Sequence, residues 1–225
     1  MVKTISFLIL AELNFFVTQA SLNLSDKKAI KQNIDITPLV MGLSYFHPLS
    51  PAIIAYLQKH TIAVTIRKKK LLLKAGQMCD YVYFITKGAV RGYIKEGSKD
   101  ITTWISVENE LVTSISSLDI KAPSIENMQA IEDCEMLALS YIDLENLYTK
   151  YIDANIAGRK LLQKYYRDAE GRAFIARLTK AENKYNYFLE NHSHLSNRIP
   201  LKYIASFLGI TQETLSRVRK KLQTK

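Results

Sequence analysis

Pro200–Leu222 reads PLKYIASFLGITQETLSRVRKKL, and the spacing within it decides the architecture of the C-terminal part of the chain. Ile204, Ala205 and Leu208 lie on one helical face and run up to Gly209, and after Ile210 the spacing resumes with Leu215, Val218 and Leu222. Two amphipathic helices joined by a short glycine-containing turn form a helix-turn-helix pattern. Each choice has a physical cause. Ala205 is small where the second helix crosses, Gly209 supplies the positive φ of the turn, and the Thr211 hydroxyl accepts from amides left open at the next helix start. Leu215 and Val218 seat the second helix on the first.

The outward positions of that second helix are polar, and most are long. Thr211, Gln212, Glu213, Thr214, Ser216, Arg217, Arg219, Lys220 and Lys221 are the candidate DNA-binding residues. Arg217 has the geometry to donate twice to guanine O6 and N7, and Glu213, one turn earlier, to accept from cytosine N4. As a bare surface i,i+4 pair the same two would contribute only about a few tenths of a kcal/mol. Lys220 and Lys221, near the helix end, suit phosphates.

Charge supports this reading. The 225 residues carry 31 Lys+Arg and 21 Asp+Glu, a net +10. Residues 1–150 hold 16 basic and 15 acidic side chains, residues 151–225 hold 15 and 6, so the excess is +1 before residue 151 and +9 after it. Such asymmetry favours a polyanionic partner, nucleic acid or an anionic membrane surface. With 48% hydrophobic residues, eight glycines and five prolines, the composition excludes a disordered tail or a collagen-like fibre. Cys79 and Cys134 are too few for a disulfide scaffold and lie in no zinc-type spacing, so both read as small inert side chains. His47 and His60 stand in no ligand motif, and His192 and His194 read as solvated residues of a polar loop. No Gly-rich phosphate loop, nucleophile elbow or metalloprotease helix is present, so no catalytic residue, metal or cofactor is assigned and the chain is not read as an enzyme.

Upstream, Pro48-Leu49-Ser50-Pro51 starts a short helix of about residues 51–59, with Ser50 as its cap and Pro51 in its first turn. From Ile62 to Ser140 the texture is that of short strands, with turns at Gly76, Gly88 and Glu96–Asp100 and a less regular connection over Ser116–Asn127. Beyond Tyr141 the pattern is helical. Ile142, Leu144, Leu147, Tyr148 and Tyr151 mark one helix, and Ile156, Leu161, Leu162, Tyr165 and Tyr166 mark a long one reaching about Leu178. A stripe that long is covered either by a second copy, coiled-coil fashion, or by the chain's own β region, and the first predicts a homodimer.

The fold class expected is therefore α+β. An antiparallel, jelly-roll-like β-roll over 41–141 precedes connecting and dimerisation helices over 142–178 and a winged-helix-type helix-turn-helix domain over 179–225. Residues 1–40 stand apart. Lys3 and the apolar run Ile5–Val17 outline a signal peptide, but Glu12 and Asn14 interrupt it, so a leader, an ordered extension and a reading-frame extension ahead of Met41 all stay open. A cytoplasmic location follows if the leader is not a signal.

A β-roll, a long helix and a C-terminal helix-turn-helix in this order resemble the Crp/Fnr family of bacterial transcription regulators over roughly residues 45–222. LLLKAGQMCDYVYFITKGAVRGYI is similar to that family's strand-turn pattern, and Glu213, Ser216 and Arg217 match the E-x-x-S-R pattern of its Fnr branch. The resemblance implies a homodimer on an inverted repeat of double-stranded DNA, with RNA polymerase as a further partner. Its cyclic-nucleotide binders carry Gly-Glu and, ten residues after that Glu, Arg-Ser/Thr-Ala. Here Thr113-Ser114 and Ser124-Ile125-Glu126 stand in those places, a degenerate effector pocket of Thr113, Ser114, Ser124 and Ile125. A buried phosphate with no cation is costly, so cyclic AMP is not the expected effector, whose identity stays unknown. The four thiolates of an iron–sulfur centre are also missing. The rival from another class is a membrane-surface or protein-docking module that uses the basic C-terminal region electrostatically, although membrane association is not the expectation here.

Overall fold

The computed structural model describes residues 34–223. Eight strands build the roll: β1 (Ile62–Ile66), β2 (Leu71–Leu73), β3 (Tyr81–Lys87), β4 (Val90–Glu96), β5 (Lys99–Ser106), β6 (Leu111–Val112), β7 (Asn127–Ala130) and β8 (Cys134–Ser140). They pair antiparallel in two four-stranded sheets, ordered β1-β8-β3-β6 and β2-β7-β4-β5. Val64, Leu72, Tyr83, Ile85, Val90, Met128, Met136 and Ala138 fill the space between the sheets, as the two-residue period of a strand requires. The β4–β5 ladder runs to Glu96 opposite Lys99, so the expected Glu96–Asp100 loop narrows to Gly97 and Ser98. Gly92 has no room for a side chain: a Cβ there would lie 2.2 Å from the Trp104 indole opposite it.

Helices flank the roll. The first, α1 (Thr37–Ser44), is followed by α2 (Pro51–His60), where the Ser50 hydroxyl accepts from the Ile53 amide at 3.4 Å. The connection after β6 contains a short helix, α3 (Ile115–Ile120). Ile36 and Leu39 are buried with Ile53, Leu57, Phe84, Leu137 and Leu147. A boundary at residue 40 would therefore cut α1 in two, and residues 34–40 pack with the roll rather than with a separate extension. The apolar run Ile5–Val17 lies outside the described residues.

Then come α4 (Tyr141–Lys150) and α5 (Ile152–Arg177), 26 residues long. The stripe expected to meet a second copy is split. Ala154, Ala157, Gly158 and Ile175 are buried, Ile156 and Leu161 half-buried, and the Tyr165 hydroxyl accepts from the Leu111 amide at 2.6 Å. Leu162 and Tyr166 are exposed, with Ala169 and Ala173 on the same side at the four-three spacing of a coiled-coil seam. Tyr165 thus turns from the expected dimer seam to the chain's own roll, and Ile156 and Leu161 are partly covered, because a helix packed against its own chain buries only one side of its circumference.

The C-terminal unit consists of α6 (Ala181–His192), a 3₁₀ turn at Ser193–Leu195, α7 (Leu201–Leu208) and α8 (Gln212–Gln223). Helices and turns alone occupy its described residues, with no wing strand among them. His192 is not a solvated loop residue: it ends α6 and packs on the Phe188 and Phe207 rings, and burial pushes its imidazole below the ordinary value. Among the described residues no helix is long and apolar enough to cross a membrane.

Candidate nucleic-acid interface and its seam with the roll

Gly209 ends α7 at φ +63°, in the left-handed region, and the buried Lys184 ammonium donates to the Leu208 carbonyl at 2.9 Å, satisfying one of the acceptors left at that helix end. Thr211 then caps α8, its hydroxyl accepting from the Thr214 amide at 3.1 Å. Leu215 is fully buried against Ile204, Ala205, Leu208 and Phe188, while Val218 and Leu222 pack around them. With α8 seated this way, Gln212, Glu213, Ser216, Arg217 and Lys220 are exposed together on one face.

The nine candidate residues do not all share that face. Arg219 is six residues beyond Glu213, about 240° round the helix, and its guanidinium donates to the Ser196 carbonyl at 3.1 Å and to Asn197 Oδ1 at 2.8 Å. It holds the turn before α7. Lys221 reaches Glu182 on α6 at 2.8 Å. Thr211 and Thr214 serve the helix start, and Arg217 donates to the Thr214 hydroxyl at 3.4 Å. The Glu213 carboxyl is held below the usual value by the amide at the helix start, then by the Thr211 hydroxyl, and only weakly by Arg217.

The other face of α7 docks on β5. Arg91, 3% exposed, lies between the rings of Tyr93 and Tyr203, each 4.1 Å away. It also donates to Asp100 at 2.7 Å, Gln129 at 2.9 Å and Thr102 at 3.2 Å. The Ser206 hydroxyl accepts from the Thr102 amide at 2.9 Å and donates to the Asp100 carbonyl at 3.0 Å, extending the hydrogen bonding of β5 into the helix. Ala89, Val107 and Ile131 of the roll share one apolar core with Ile175, Phe188, Leu208 and Leu215. Arg198 closes the seam with charge-assisted bonds to Glu108 and Glu132, at 2.6 and 2.7 Å. These seam residues escaped the sequence reading; the available signal was a second polar stripe on α7, formed by Lys202, Tyr203 and Ser206.

The Arg198 guanidinium holds the Glu108 carboxyl down to about 2. A carboxyl with a lowered folded-state value stabilises fully above the unfolded value of about 4.3, and that stabilisation disappears as pH falls through the folded value. The stability difference between wild type and Arg198→Met should thus be constant above about pH 5 and shrink towards pH 2. Urea unfolding at pH 6 and pH 3 checks this, and an undiminished difference at pH 3 would contradict it.

The degenerate effector positions come only partly together. Ser114 and Ser124, both buried, share a hydrogen bond at 2.9 Å, and Ser124 Oγ also donates to the Glu126 carbonyl. Thr113 turns to the Tyr81 carbonyl and to Cys79 Sγ, and Ile125 is 76% exposed. The two serines satisfy each other where the resemblance would place ribose and phosphate contacts. Glu126 beside them accepts from the Trp104 indole at 3.0 Å, and burial raises its pKa. Both thiols are buried and free; burial pushes the Cys134 thiol up to about 11, so it stays protonated at neutral pH. Among the described residues no group of three or more His, Cys, Asp or Glu could hold a metal ion.

Residues 63–151 match the cyclic nucleotide-binding domain family. No curated protein matches the chain significantly in sequence. Solved structures match its fold. A CooA variant from Carboxydothermus hydrogenoformans superposes with a TM-score of 0.62 at 16% identity, covering 88% of this chain and 87% of its own. FixK2 from Bradyrhizobium japonicum gives 0.61 at 22%, covering 73% and 85%. The c-di-GMP-responsive global regulator CLP from Xanthomonas campestris gives 0.61 at 19%, covering 78% and 92%. A regulator from Eubacterium rectale assigned to the Crp/Fnr family gives 0.61 at 14%, covering 78% and 84%. The roll at residues 63–151 is thus similar to a cyclic nucleotide-binding domain, and the roll, the long helix and the docked helix-turn-helix together have the fold of the Crp/Fnr-type structures they superpose on.

Proposed function

We propose that the protein is a sequence-specific DNA-binding transcription regulator that acts in the cytoplasm as a homodimer on an inverted repeat, with RNA polymerase as its downstream partner. The observation that carries this reading is α8. One face is anchored by the fully buried Leu215, and the opposite face exposes Glu213, Ser216, Arg217 and Lys220. A helix held so firmly and presenting donors and acceptors on its free side suits a major groove. Enrichment of bound duplexes from a random pool tests it: a two-fold-symmetric sequence is expected, and uniform binding of all duplexes at every salt concentration would refute it.

The four-three stripe Leu162, Tyr166, Ala169 and Ala173 supports the dimer. Burying a second copy against it removes two large apolar side chains per chain from water, on the order of 1.5–3 kcal/mol for each of them. Leu162→Glu with Tyr166→Glu should convert a species of twice the chain mass to monomer in sedimentation, while leaving the roll folded. A wild type that is monomeric at micromolar concentration and still binds the inverted repeat with full affinity would overturn the dimer.

The Ser114–Ser124 hydrogen bond supports an effector other than cyclic AMP. Calorimetry with cyclic AMP is expected to show no micromolar binding, and such binding would refute that part of the reading.

A further inference from the structure

His192 is the last residue of α6, where the helix-turn-helix unit meets the long helix α5. Its ring stands 5.6 Å from that of Phe188 and 6.2 Å from that of Phe207, so it takes part in the apolar packing of α6 on α7. Phe188 is 1% exposed and belongs to the core that holds Leu208 and Leu215. On the α5 side the approach is close: a Cβ on Gly171 would lie 3.0 Å from the Tyr187 hydroxyl of α6. A neutral imidazole suits such a place, and an imidazolium taken from water does not.

The charges round the ring also favour the neutral form. Lys164, Asp168 and Arg172 of α5 face it, with His194 from the 3₁₀ turn. Asp168, the carboxylate among them, already accepts from the Lys164 ammonium at 2.8 Å and faces Arg172 as well. On the roll side, Glu110 lies 3.7 Å from Lys164, and Glu110 and Glu126 face Arg172. A proton on His192 therefore sets a third cation beside one shared carboxylate, where burial already limits water. Burial first, then His194, and after them Lys164 and Arg172 hold the imidazole below its ordinary value, while Asp168 pulls the other way.

We propose that His192 is an acid-sensitive catch: when it is protonated, the helix-turn-helix unit loosens from α5 and affinity for DNA falls with it. The second half rests on the DNA-binding reading above. The direction follows from linkage. A histidine released into solvent takes up a proton near pH 6.5 and the docked one only at lower pH, so the released state binds more protons and gains as the pH falls below about 6.5. Between about pH 7.5 and about pH 5.5 one such group shifts the balance by at most about tenfold per chain. A dimer that needs both α8 helices at a fixed spacing feels the shift twice.

The test uses the full chain at those two pH values. It compares wild type with His192→Phe, which keeps an aromatic ring and cannot titrate, His192→Gln, which stays neutral without the ring, and His194→Gln. Hydrogen exchange of the α6, α7 and α8 amides is measured against that of the β3 and β4 amides in the same sample, which cancels the intrinsic dependence on pH. In wild type and His194→Gln this ratio should rise on acidification by up to about tenfold. In both His192 variants it should stay constant, whatever offset the substitution itself introduces. Affinity for the enriched duplex should fall in parallel, by up to about tenfold per chain more in wild type than in His192→Phe. An acid response that persists in both His192 variants, or none in wild type, overturns the proposal. So does a His192-dependent change in exchange with no matching change in affinity. If wild type binds no duplex at either pH, the DNA-binding reading fails and takes the second half of the proposal with it, while the exchange ratios still decide the catch.

Discussion

Arg217→Ala is expected to weaken binding to the enriched duplex by about 1–3 kcal/mol, roughly 5- to 150-fold, and to relax preference at one G·C pair. Arg217 is exposed beside Glu213 and Ser216, and among the described residues it donates a long hydrogen bond to Thr214, so donors on the guanidinium face outward towards a base edge. Fold stability should change little for the same reason. The two charge partners on the helix should behave differently. Lys220→Gln should, on the proposed phosphate-contact role, weaken all duplexes alike and lower the salt slope by about one. Glu213→Ala should keep or raise nonspecific binding, because it removes an anion facing DNA, while losing discrimination for cytosine. Titrating each variant on duplexes changed one base pair at a time separates these roles. If Arg217→Ala lowers affinity uniformly across all duplexes, Arg217 is a phosphate clamp and the reading face has been misassigned.

Arg91→Ala should release the helix-turn-helix from the roll. The side chain is almost completely buried between two tyrosine rings and makes hydrogen bonds to three further side chains. Breaking a buried pair costs about 3–5 kcal/mol, but Asp100 is 38% exposed and regains water, which places the expected loss nearer 2–3 kcal/mol. Calorimetry should show one unfolding transition in wild type and two in Arg91→Ala, as the C-terminal unit melts apart from the roll. Asp100→Asn, which keeps the stacking and one acceptor, should have the smaller effect. A single transition at unchanged temperature in Arg91→Ala would mean that the apolar core joining Val107 and Ile131 to Phe188 and Leu208 couples the two units by itself.

Much of the fold was legible in the sequence because its signals are local. Gly209 between two helical stripes, Ser50-Pro51 at a helix start and the aromatic and β-branched Tyr81–Ile85 segment each encode their conformation within a few residues, and each stands in the structure where the sequence placed it. The exposure of Glu213, Ser216 and Arg217 followed from helical periodicity once Leu215 was taken as the inward residue. Arg219 was the exception on the same helix. Its polarity suggested DNA, but its angular position beside Leu215 brings it to the Ser196–Asn197 turn.

Sequence alone determined the succession of roll, long helix and helix-turn-helix, the basic surplus of the C-terminal part, and the loss of the arginine that the resemblance assigns to a bound phosphate. Only the tertiary structure decided which side of α5 belongs to the roll and which is left for a second copy. It also joined Arg91 to Tyr203 and Thr102 to Ser206, the latter pair 104 residues apart, and turned the vacated effector positions Ser114 and Ser124 towards each other. Periodicity reports that a face is apolar or polar. What that face meets depends on chain packing over long separations, where burial and paired polar groups select among partners that local spacing leaves equivalent.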